Sequence, residues 1–329
     1  MSTSWQPSAN FSSIKERAIL LNQIRDFFKQ QNVLEVETPL LCQYAPTSLH
    51  IDPIIVTASG NKLRFLQTSP EYAMKRLIAA GCGDIYQLCK AFREEEVGTL
   101  HNPEFTMLEW YRVGFNHHQL MQDIEMLLKN ILFIDNNDYT CTKISYREIF
   151  IKYLNIDPIL ATIDSLKKLV INNIELSDHF KNFMLNGSKA DYQMLLFSNC
   201  IEPYLSKDNQ ILFVYNYPAE QAALANIASC QEGGQIAERF EVYVNGIEIA
   251  NGYHELIDAT IQKNRFLEDQ KLRQKLNKPH LAIDPYLIAA LKYGMPDCSG
   301  VALGIDRLLM LKTNSKSIKD ILCFPWNLA

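Results

Sequence analysis

Apolar residues recur at helical spacing close to the start of the chain. They lie three or four positions apart, which places them on one face of an α-helix; they are Ile14, Ala18, Leu21, Ile24 and Phe28. The pattern predicts an amphipathic helix over 13–31, with Ser13 and Glu16 forming a capping box at its start.

A second helix and two strands follow. Ser69-Pro70-Glu71 places a proline where helices commonly begin, and Gly81 is a stop signal, so the segment between them is predicted to be helical. The apolar segments 85–93 and 105–113 predict two strands. The polar loop 94–104 between them is long and charged for a hairpin connection.

The clearest hairpin signal lies in the C-terminal half of the chain. Asn245-Gly246 stands between two alternating segments, 239–244 and 247–250, and this residue pair is what a type I′ turn requires. The segment 255–276 predicts a charged helix, and 301–311 predicts a strand that runs into a helix.

The order of these elements predicts the fold class. Successive strands without regular β–α alternation favour an α+β fold, with a mostly antiparallel sheet flanked by helices, over a doubly wound parallel sheet. Between 135 and 232 the pattern weakens into short helices such as 164–172 and 191–199. We therefore expect one domain over 1–329, with a helical elaboration at 135–232.

Composition and charge narrow the class of protein. Of the 329 residues, 47% are hydrophobic and 21% are charged, which excludes a wholly disordered or fibrous protein. The 32 Lys and Arg residues against 37 Asp and Glu residues give a net charge of −5, the opposite of the balance usual in proteins held by nucleic-acid phosphates. The polar N-terminus lacks the apolar core of a signal peptide, and no apolar run approaches the roughly 18 residues that cross a bilayer. We expect a cytoplasmic protein with no membrane partner.

The charged loop is the first candidate for chemistry. Arg93 ends an apolar strand, three glutamates follow it at 94–96, and Phe105 opens the next strand. A guanidinium on phosphate and an aromatic ring on adenine would suit a nucleotide. A solvated charge cluster on a long hairpin is the alternative, and this stretch alone leaves both open.

Two carboxylates flank the Asn-Gly turn on opposite arms of its hairpin. Glu241 precedes the turn and Glu248 follows it, so both side chains can point toward one cavity. One or two carboxylates, shared with phosphate oxygens, are the usual protein ligands of Mg²⁺. Alternation on an exposed sheet face would give the same pattern.

A third group of residues suits a primary ammonium. Glu109 and Tyr111 alternate on one strand and share a face, and the segment 251–255 brings together an amide, a ring, an imidazole and a carboxylate. Carboxylates with aromatic walls bind an ammonium by ion pairing and cation–π contact, although the tyrosines also fit an ordinary core. Near the C-terminus, Gly304 allows a ligand to approach the backbone, and Arg307 lies at a helix start.

Taken together and in order, these segments resemble motifs 1, 2 and 3 of class II aminoacyl-tRNA synthetases. The matching stretches are Val33-Leu-Glu-Val-Glu-Thr-Pro, then Phe92-Arg-Glu-Glu with His101-Asn-Pro-Glu-Phe-Thr-Met-Leu-Glu-Trp-Tyr, then Ala302-Leu-Gly-Ile-Asp-Arg. Thr68-Ser-Pro-Glu-Tyr and Glu248-Ile-Ala-Asn-Gly-Tyr-His-Glu narrow the resemblance to the lysyl-type catalytic domain.

The resemblance also implies an activity. The first motif begins near residue 13, which leaves no room for the anticodon-binding domain of bacterial lysyl-tRNA synthetases. A freestanding core of this length is similar to the bacterial elongation factor P lysine ligases, the truncated relatives of those synthetases. The resemblance implies a homodimer that uses ATP and Mg²⁺ to activate lysine, preferably (R)-β-lysine, as an adenylate. It further implies transfer to a lysine side chain of elongation factor P, with no tRNA partner.

Three other activities stay open at this point. They are a minimal tRNA-charging enzyme, a ligase that releases a small amide, and a catalytically inactive regulatory subunit.

The resemblance assigns roles to matching residues. The catalytic pair would be Arg93 and Arg307. The ATP site would comprise Arg93, Glu94, Glu95, Asn102, Phe105, Glu248, Ile249, Gly304 and Arg307. The substrate pocket would comprise Ser69, Pro70, Glu71, Glu109, Tyr111, Asn251, Tyr253 and Glu255. The Mg²⁺ ligands would be Glu241 and Glu248.

Two residues depart from the lysyl-type pattern. Glu94 stands where motif 2 of this group usually has Asn, and it either contacts ATP or points to solvent. Ala302 stands where lysyl-tRNA synthetases usually have Gly, and its methyl group would reshape the pocket floor near the amine of a β-amino acid.

Overall fold

The structure is a computed structural model that describes residues 5–94, 97–133, 139–175, 187–205 and 207–329. The chain forms two compact units, numbered here unit 1 (Met1–Ile134 with Ile257–Ala329) and unit 2 (Asp135–Leu256). The predicted single domain without an anticodon-binding domain stays a prediction. Among the described residues, no helix combines the length and apolar character needed to cross a bilayer.

In unit 1, helices flank a mixed sheet. Helices and strands are numbered in the order of the whole chain, so α4–α6 belong to unit 2. Its α-helices are α1 (Phe11–Gln30), α2 (Glu71–Ala79), α3 (His117–Leu132), α7 (Ala259–Lys275), α8 (Pro285–Gly294) and α9 (Ile305–Lys312). The main sheet has the order β1-β5-β6-β12, formed by Leu34–Glu35, Ile85–Phe92, Glu104–Val113 and Cys298–Gly304. Only its β1–β5 pair is parallel among the described pairs. A small antiparallel sheet contains β2 (Leu41–Cys42), β4 (Lys62–Leu66) and β3 (Ile55–Ala58).

Helix α1 covers one face of the β5–β6 pair. The ring of Phe28 stacks on Tyr86 with centroids 4.3 Å apart and meets Trp110 edge-on at 5.4 Å. Successive side chains of a strand alternate between the faces of the sheet. The neighbours of Trp110 on β6, Glu109 and Tyr111, therefore lie on the opposite face from α1.

Unit 2 contains five described strands with their own helical cover. The helices are α4 (Tyr146–Leu154), α5 (Ile163–Asn173) and α6 (Lys189–Leu196). The strands are β7 (Thr140–Ser145), β8 (Gln210–Pro218), β9 (Ile227–Ser229), β10 (Gln235–Val244) and β11 (Ile247–His254). Their order is β7-β8-β10-β11, with β9 beside β10, and the β7–β8 pair is parallel. The core lies between helices and sheet, where Tyr146 packs on Phe197 (5.4 Å) and Tyr217 (4.7 Å).

Most predicted elements are confirmed, and three details are wrong. The α+β class with a mostly antiparallel sheet is confirmed. Helix α1 is capped by Asn10, whose side chain accepts the Ser13 N–H at 2.8 Å, so the predicted capping box at Ser13 is wrong. Helix α7 begins at Ala259 rather than at 255, because the Asp258 side chain caps it.

The third wrong detail is the purely helical character of 135–232. Helices α4, α5 and α6 are present there, but β7, β8 and β9 are strands. Strand β8 contains the run Ile211-Leu-Phe-Val, which is buried throughout. A strand buried on both faces has no alternation, so its pattern resembles that of a buried helix.

Candidate active site

The β10–β11 hairpin of unit 2 brings the predicted metal carboxylates onto one face. Asn245 (φ 50°) and Gly246 (φ 81°) form the turn, as the type I′ prediction requires. Glu241 pairs with Asn251, and Tyr243 pairs with Glu248. The register shifts between these pairs and leaves Ile249 as the extra residue of a β-bulge. The bulge turns Glu248 onto the face of Asn251, although the two are three positions apart.

Three donors hold the carboxylate of Glu241. Arg239 donates to Oε1 at 2.5 Å, and the hydroxyls of Tyr217 and Tyr243 donate to Oε2 at 2.7 and 2.6 Å. Burial, and then the charge of Glu241, raise the pKa of both tyrosines well above the usual value, so both hydroxyls keep their protons. An oxygen of a carboxylate has two lone pairs, so Oε2 is filled and Oε1 retains one position for a further ligand.

The donors on this face fit Mg²⁺. Burial lowers the pKa of Arg239, but the charge of Glu241 and, less strongly, that of Glu248 raise it. Burial, then Glu241 and, less strongly, Glu248 raise the pKa of Tyr243, so Glu248 lies close to both groups. Mg²⁺ prefers carboxylate oxygens and keeps several waters. One oxygen of Glu241 and the carboxylate of Glu248 would therefore hold it with substrate phosphate and water.

The next residues of β11 carry the predicted substrate contacts of unit 2. The side-chain oxygen of Asn251 accepts from Arg239 Nε at 3.2 Å, and Tyr253 packs against the core of unit 2. Glu255 is only 2% exposed and pairs by an isolated β-bridge with Ala225. These alternate residues continue the face that carries Glu248.

In unit 1, Arg93 lies at the end of β5 beside the predicted adenine platform. Its guanidinium carbon is 5.1 Å from the centroid of the Phe105 ring, and its backbone N–H donates to Pro103 at 2.9 Å. The next N–H, of Glu94, donates to the backbone oxygen of Asp52 at 3.0 Å, while the Glu94 side chain is exposed. Glu95 lies outside the described residues.

The far end of this loop is held by a buried amide. Asn102 donates to the Glu104 oxygen at 2.7 Å and accepts the Trp326 N–H at 2.9 Å. Arg307, in the first turn of α9 as predicted, donates to Nε2 of His101 at 2.5 Å. Both predicted catalytic arginines therefore contact the C-terminal part of this loop, Arg93 at Pro103 and Phe105 and Arg307 at His101.

A partly buried series of hydrogen bonds links the predicted substrate residues of unit 1. Glu109, 2% exposed, accepts from the Ser69 hydroxyl at 2.6 Å and from the Tyr111 hydroxyl at 2.8 Å. Ser69 also accepts the Glu71 N–H at 3.1 Å, and the Glu71 carboxylate pairs with buried Lys75 at 2.7 Å. Pro70, also buried, occupies the N-cap position of α2. These hydrogen bonds fix the geometry of a surface that is rich in carboxylates.

Strand β12 leaves space above this surface. The residues opposite Tyr111, Glu109 and Met107 are all small, namely Gly300, Ala302 and Gly304. Cross-strand partners point to the same face of a sheet. This face therefore has long side chains on β6 and very small or no side chains on β12. Burial, and then the charge of Glu109, raise the pKa of neighbouring Cys89 to about 12.

Sequence reasoning missed the residues that support the carboxylates. Arg239, Tyr217 and Tyr243 all donate to Glu241, and Lys75 pairs with Glu71. The two-residue period of Arg239, Glu241 and Tyr243 was the available signal, because it places them on one face of a strand. The roles of the predicted site residues remain predictions, supported by the contacts described above.

Comparisons with known proteins agree with the geometry. Two curated relatives, from Yersinia pestis (strain Pestoides F) and Yersinia pseudotuberculosis serotype O:1b (strain IP 31758), are each named elongation factor P–(R)-β-lysine ligase. Each is 44% identical over 335 residues, which cover 99% of this chain and 98% of the relative. The family of class II tRNA synthetases (D, K and N) matches residues 5–328. The chain belongs to this class II tRNA synthetase family.

Proposed function

We propose that this protein is an ATP-dependent, AMP-forming ligase that activates lysine, preferably (R)-β-lysine, and transfers it to a lysine side chain of elongation factor P. The carrying observation is the hairpin face with Glu241, Glu248 and Asn251, which has the donors that Mg²⁺ and an ammonium need. The relatives named for this activity match nearly the whole chain, which supports the same assignment.

The proposed reaction has two steps that balance without a covalent enzyme intermediate. A carboxylate oxygen of the substrate forms a bond to the α-phosphorus of ATP, while the bond from that phosphorus to the β-bridging oxygen breaks and pyrophosphate leaves. The amine of the acceptor lysine then attacks the carbonyl carbon of the adenylate. The amine loses a proton, the bond to AMP breaks, and an amide forms.

The residues of unit 1 bind and orient the nucleotide in this proposal. Arg93 stabilises the charge on the α-phosphoryl group, Phe105 stacks on adenine, and Arg307 holds the γ-phosphate. Gly304 leaves room beneath the nucleotide. The Asn102 amide holds the loop with one N–H and one lone pair, and its second N–H and second lone pair are assigned to ATP. The exposed Glu94 side chain suits solvent better than a triphosphate.

Mg²⁺ and the substrate are assigned to carboxylates. Glu241 and Glu248 would hold the ion, which neutralises phosphate charge when bound. In unit 2 we assign Glu255 to the distal ammonium of the substrate, and in unit 1 Tyr111 and Glu71 stay assigned to substrate binding. Glu109 and Ser69 orient Tyr111 and Glu71 through the hydrogen bonds described above. Asn251 and Tyr253 complete the assigned set.

We also propose a cytoplasmic homodimer with no tRNA partner. In the resembling family, the first helix and strand form the dimer interface. Three large apolar side chains of α1 and β1 are well exposed in the single chain, which supports this arrangement: Phe11 (79%), Ile19 (46%) and Leu34 (54%).

Mass spectrometry of elongation factor P tests the function. Incubation with this enzyme, ATP and each lysine isomer should add one aminoacyl group to an acceptor lysine, with (R)-β-lysine the best substrate. Charging of lysine tRNA instead would support a minimal synthetase. Complete absence of ATP–pyrophosphate exchange with every isomer would favour the inactive regulatory subunit.

The Glu248→Gln substitution tests the metal assignment. An amide oxygen carries no formal charge, so we expect adenylate formation to fall steeply and to need a higher Mg²⁺ concentration. ATP–pyrophosphate exchange over a Mg²⁺ titration measures both effects. An unchanged Mg²⁺ dependence would contradict the assignment of Glu248 as a ligand.

A further inference from the structure

Arg239 contacts both the Glu241 carboxylate and the Asn251 amide of the hairpin. It lies on β10 opposite Tyr253, and its side chain is 16% exposed. One terminal nitrogen donates to Oε1 of Glu241 at 2.5 Å, and Nε donates to the side-chain oxygen of Asn251 at 3.2 Å. The predicted metal carboxylate and the predicted substrate amide therefore share one guanidinium.

Two further contacts fix the plane of this guanidinium. Its other terminal nitrogen donates to the backbone oxygen of Gln221 at 2.8 Å, and its carbon lies 4.6 Å from the centroid of the Tyr217 ring. A planar fork that makes three hydrogen bonds in different directions has little freedom to rotate. The side chain is only 16% exposed, so little water competes for these contacts.

The loop that receives the third hydrogen bond is itself conformationally restricted. Two residues after Gln221, Ala223 has a φ of 48°, the left-handed region that alanine seldom adopts. The backbone of the same loop forms an isolated β-bridge from Ala225 to Glu255, the residue after β11. Arg239 is therefore anchored to a backbone that also holds the predicted ammonium carboxylate.

We propose that Arg239 is a positioning residue that holds the Glu241 carboxylate and the Asn251 amide in one fixed geometry. Its fork leaves one lone pair of Glu241 Oε1 for the metal, and it orients Asn251 so that the amide presents its N–H groups to the substrate. The inference rests on the proposed function, because it takes the roles of Glu241 and Asn251 from there.

The test compares Arg239→Lys with wild type in two measurements. Lysine keeps the positive charge but replaces the planar fork with a point charge, which cannot reproduce the three contacts. We expect the dissociation constant of Mn²⁺, measured by electron paramagnetic resonance with the analogue AMPCPP, to rise about 10-fold. We expect the KM for the lysine substrate to rise by about the same factor.

Two further variants separate positioning from a merely structural role. Tyr217→Phe removes one donor to Glu241 and should weaken Mn²⁺ binding while leaving the substrate KM within about twofold of wild type. Asn251→Ala removes no predicted metal ligand, yet it should weaken Mn²⁺ binding several-fold because it releases the Nε end of Arg239. This cross-effect keeps the proposal testable if Arg239→Lys does not fold.

Each outcome has a definite meaning. Parallel changes in both constants for Arg239→Lys, with the cross-effect in Asn251→Ala, support the proposal. A change in only one constant, a loss of thermal stability alone, or an Asn251→Ala variant with wild-type Mn²⁺ binding overturns it. An absence of lysine-dependent exchange in the wild-type protein would overturn the proposed function. Mn²⁺ binding requires no turnover, so it would still test the role of Arg239 in that case.

Discussion

Replacing Arg93 with alanine should nearly abolish adenylate formation while the protein stays folded. The guanidinium is assigned to the α-phosphoryl group, where negative charge increases in the transition state. Loss of one such charge-assisted contact typically costs about 3 kcal/mol or more, which is about a hundredfold or more in rate. Lysine-dependent ATP–pyrophosphate exchange measures this step separately from transfer to the acceptor protein.

Arg76→Ala is the matched control for this experiment. Arg76 also rests on an aromatic ring, with its guanidinium carbon 5.0 Å from the Tyr286 centroid, but it is exposed on α2 and has no assigned role. Its replacement should leave exchange close to wild type. Exchange within a few-fold of wild type in Arg93→Ala would remove the main support for the nucleotide assignment.

The turn of the β10–β11 hairpin was predictable because its signal is local. A type I′ turn needs two adjacent residues with positive φ, and Asn245 and Gly246 are the residue types that tolerate this conformation. The sequence also placed carboxylates on both arms. It did not reveal the bulge at Ile249, because a strict two-residue period puts Glu248 and Asn251 on opposite faces.

The supporting contacts were less predictable because they join distant parts of the chain. Asn102 binds the backbone of Trp326, and Asp52 accepts hydrogen bonds from Arg273 at 2.8 Å and Lys278 at 2.7 Å. No periodicity links such positions, since the partners come together only when the fold forms. Motif residues identify the chemistry, whereas the side chains that hold them become visible only in the structure.

The Glu255→Gln substitution should change substrate recognition more than any other change in unit 2. Glutamine keeps the shape of the side chain but removes the negative charge of a residue that is only 2% exposed. Breaking an ion pair in a dry site leaves the ammonium without its partner and costs about 3–5 kcal/mol. The KM for the lysine substrate should therefore rise about a hundredfold or more, while the KM for ATP changes little.

Glu238→Gln provides the control on the same hairpin. Glu238 lies beside His254, its carboxylate 2.6 Å from the imidazole Nδ1, on the opposite face of the strands from Asn251. Losing this charge should leave the substrate KM near wild type, so the comparison separates ammonium recognition from a general loss of negative charge.

Kinetics with lysine, β-lysine and ornithine extend the test of Glu255→Gln, because ornithine carries its ammonium one methylene closer to the carboxylate. If Glu255→Gln leaves both the KM values and the ranking of the three substrates unchanged, the ammonium is recognised elsewhere, and the lysine-type assignment of Glu255 has to be withdrawn.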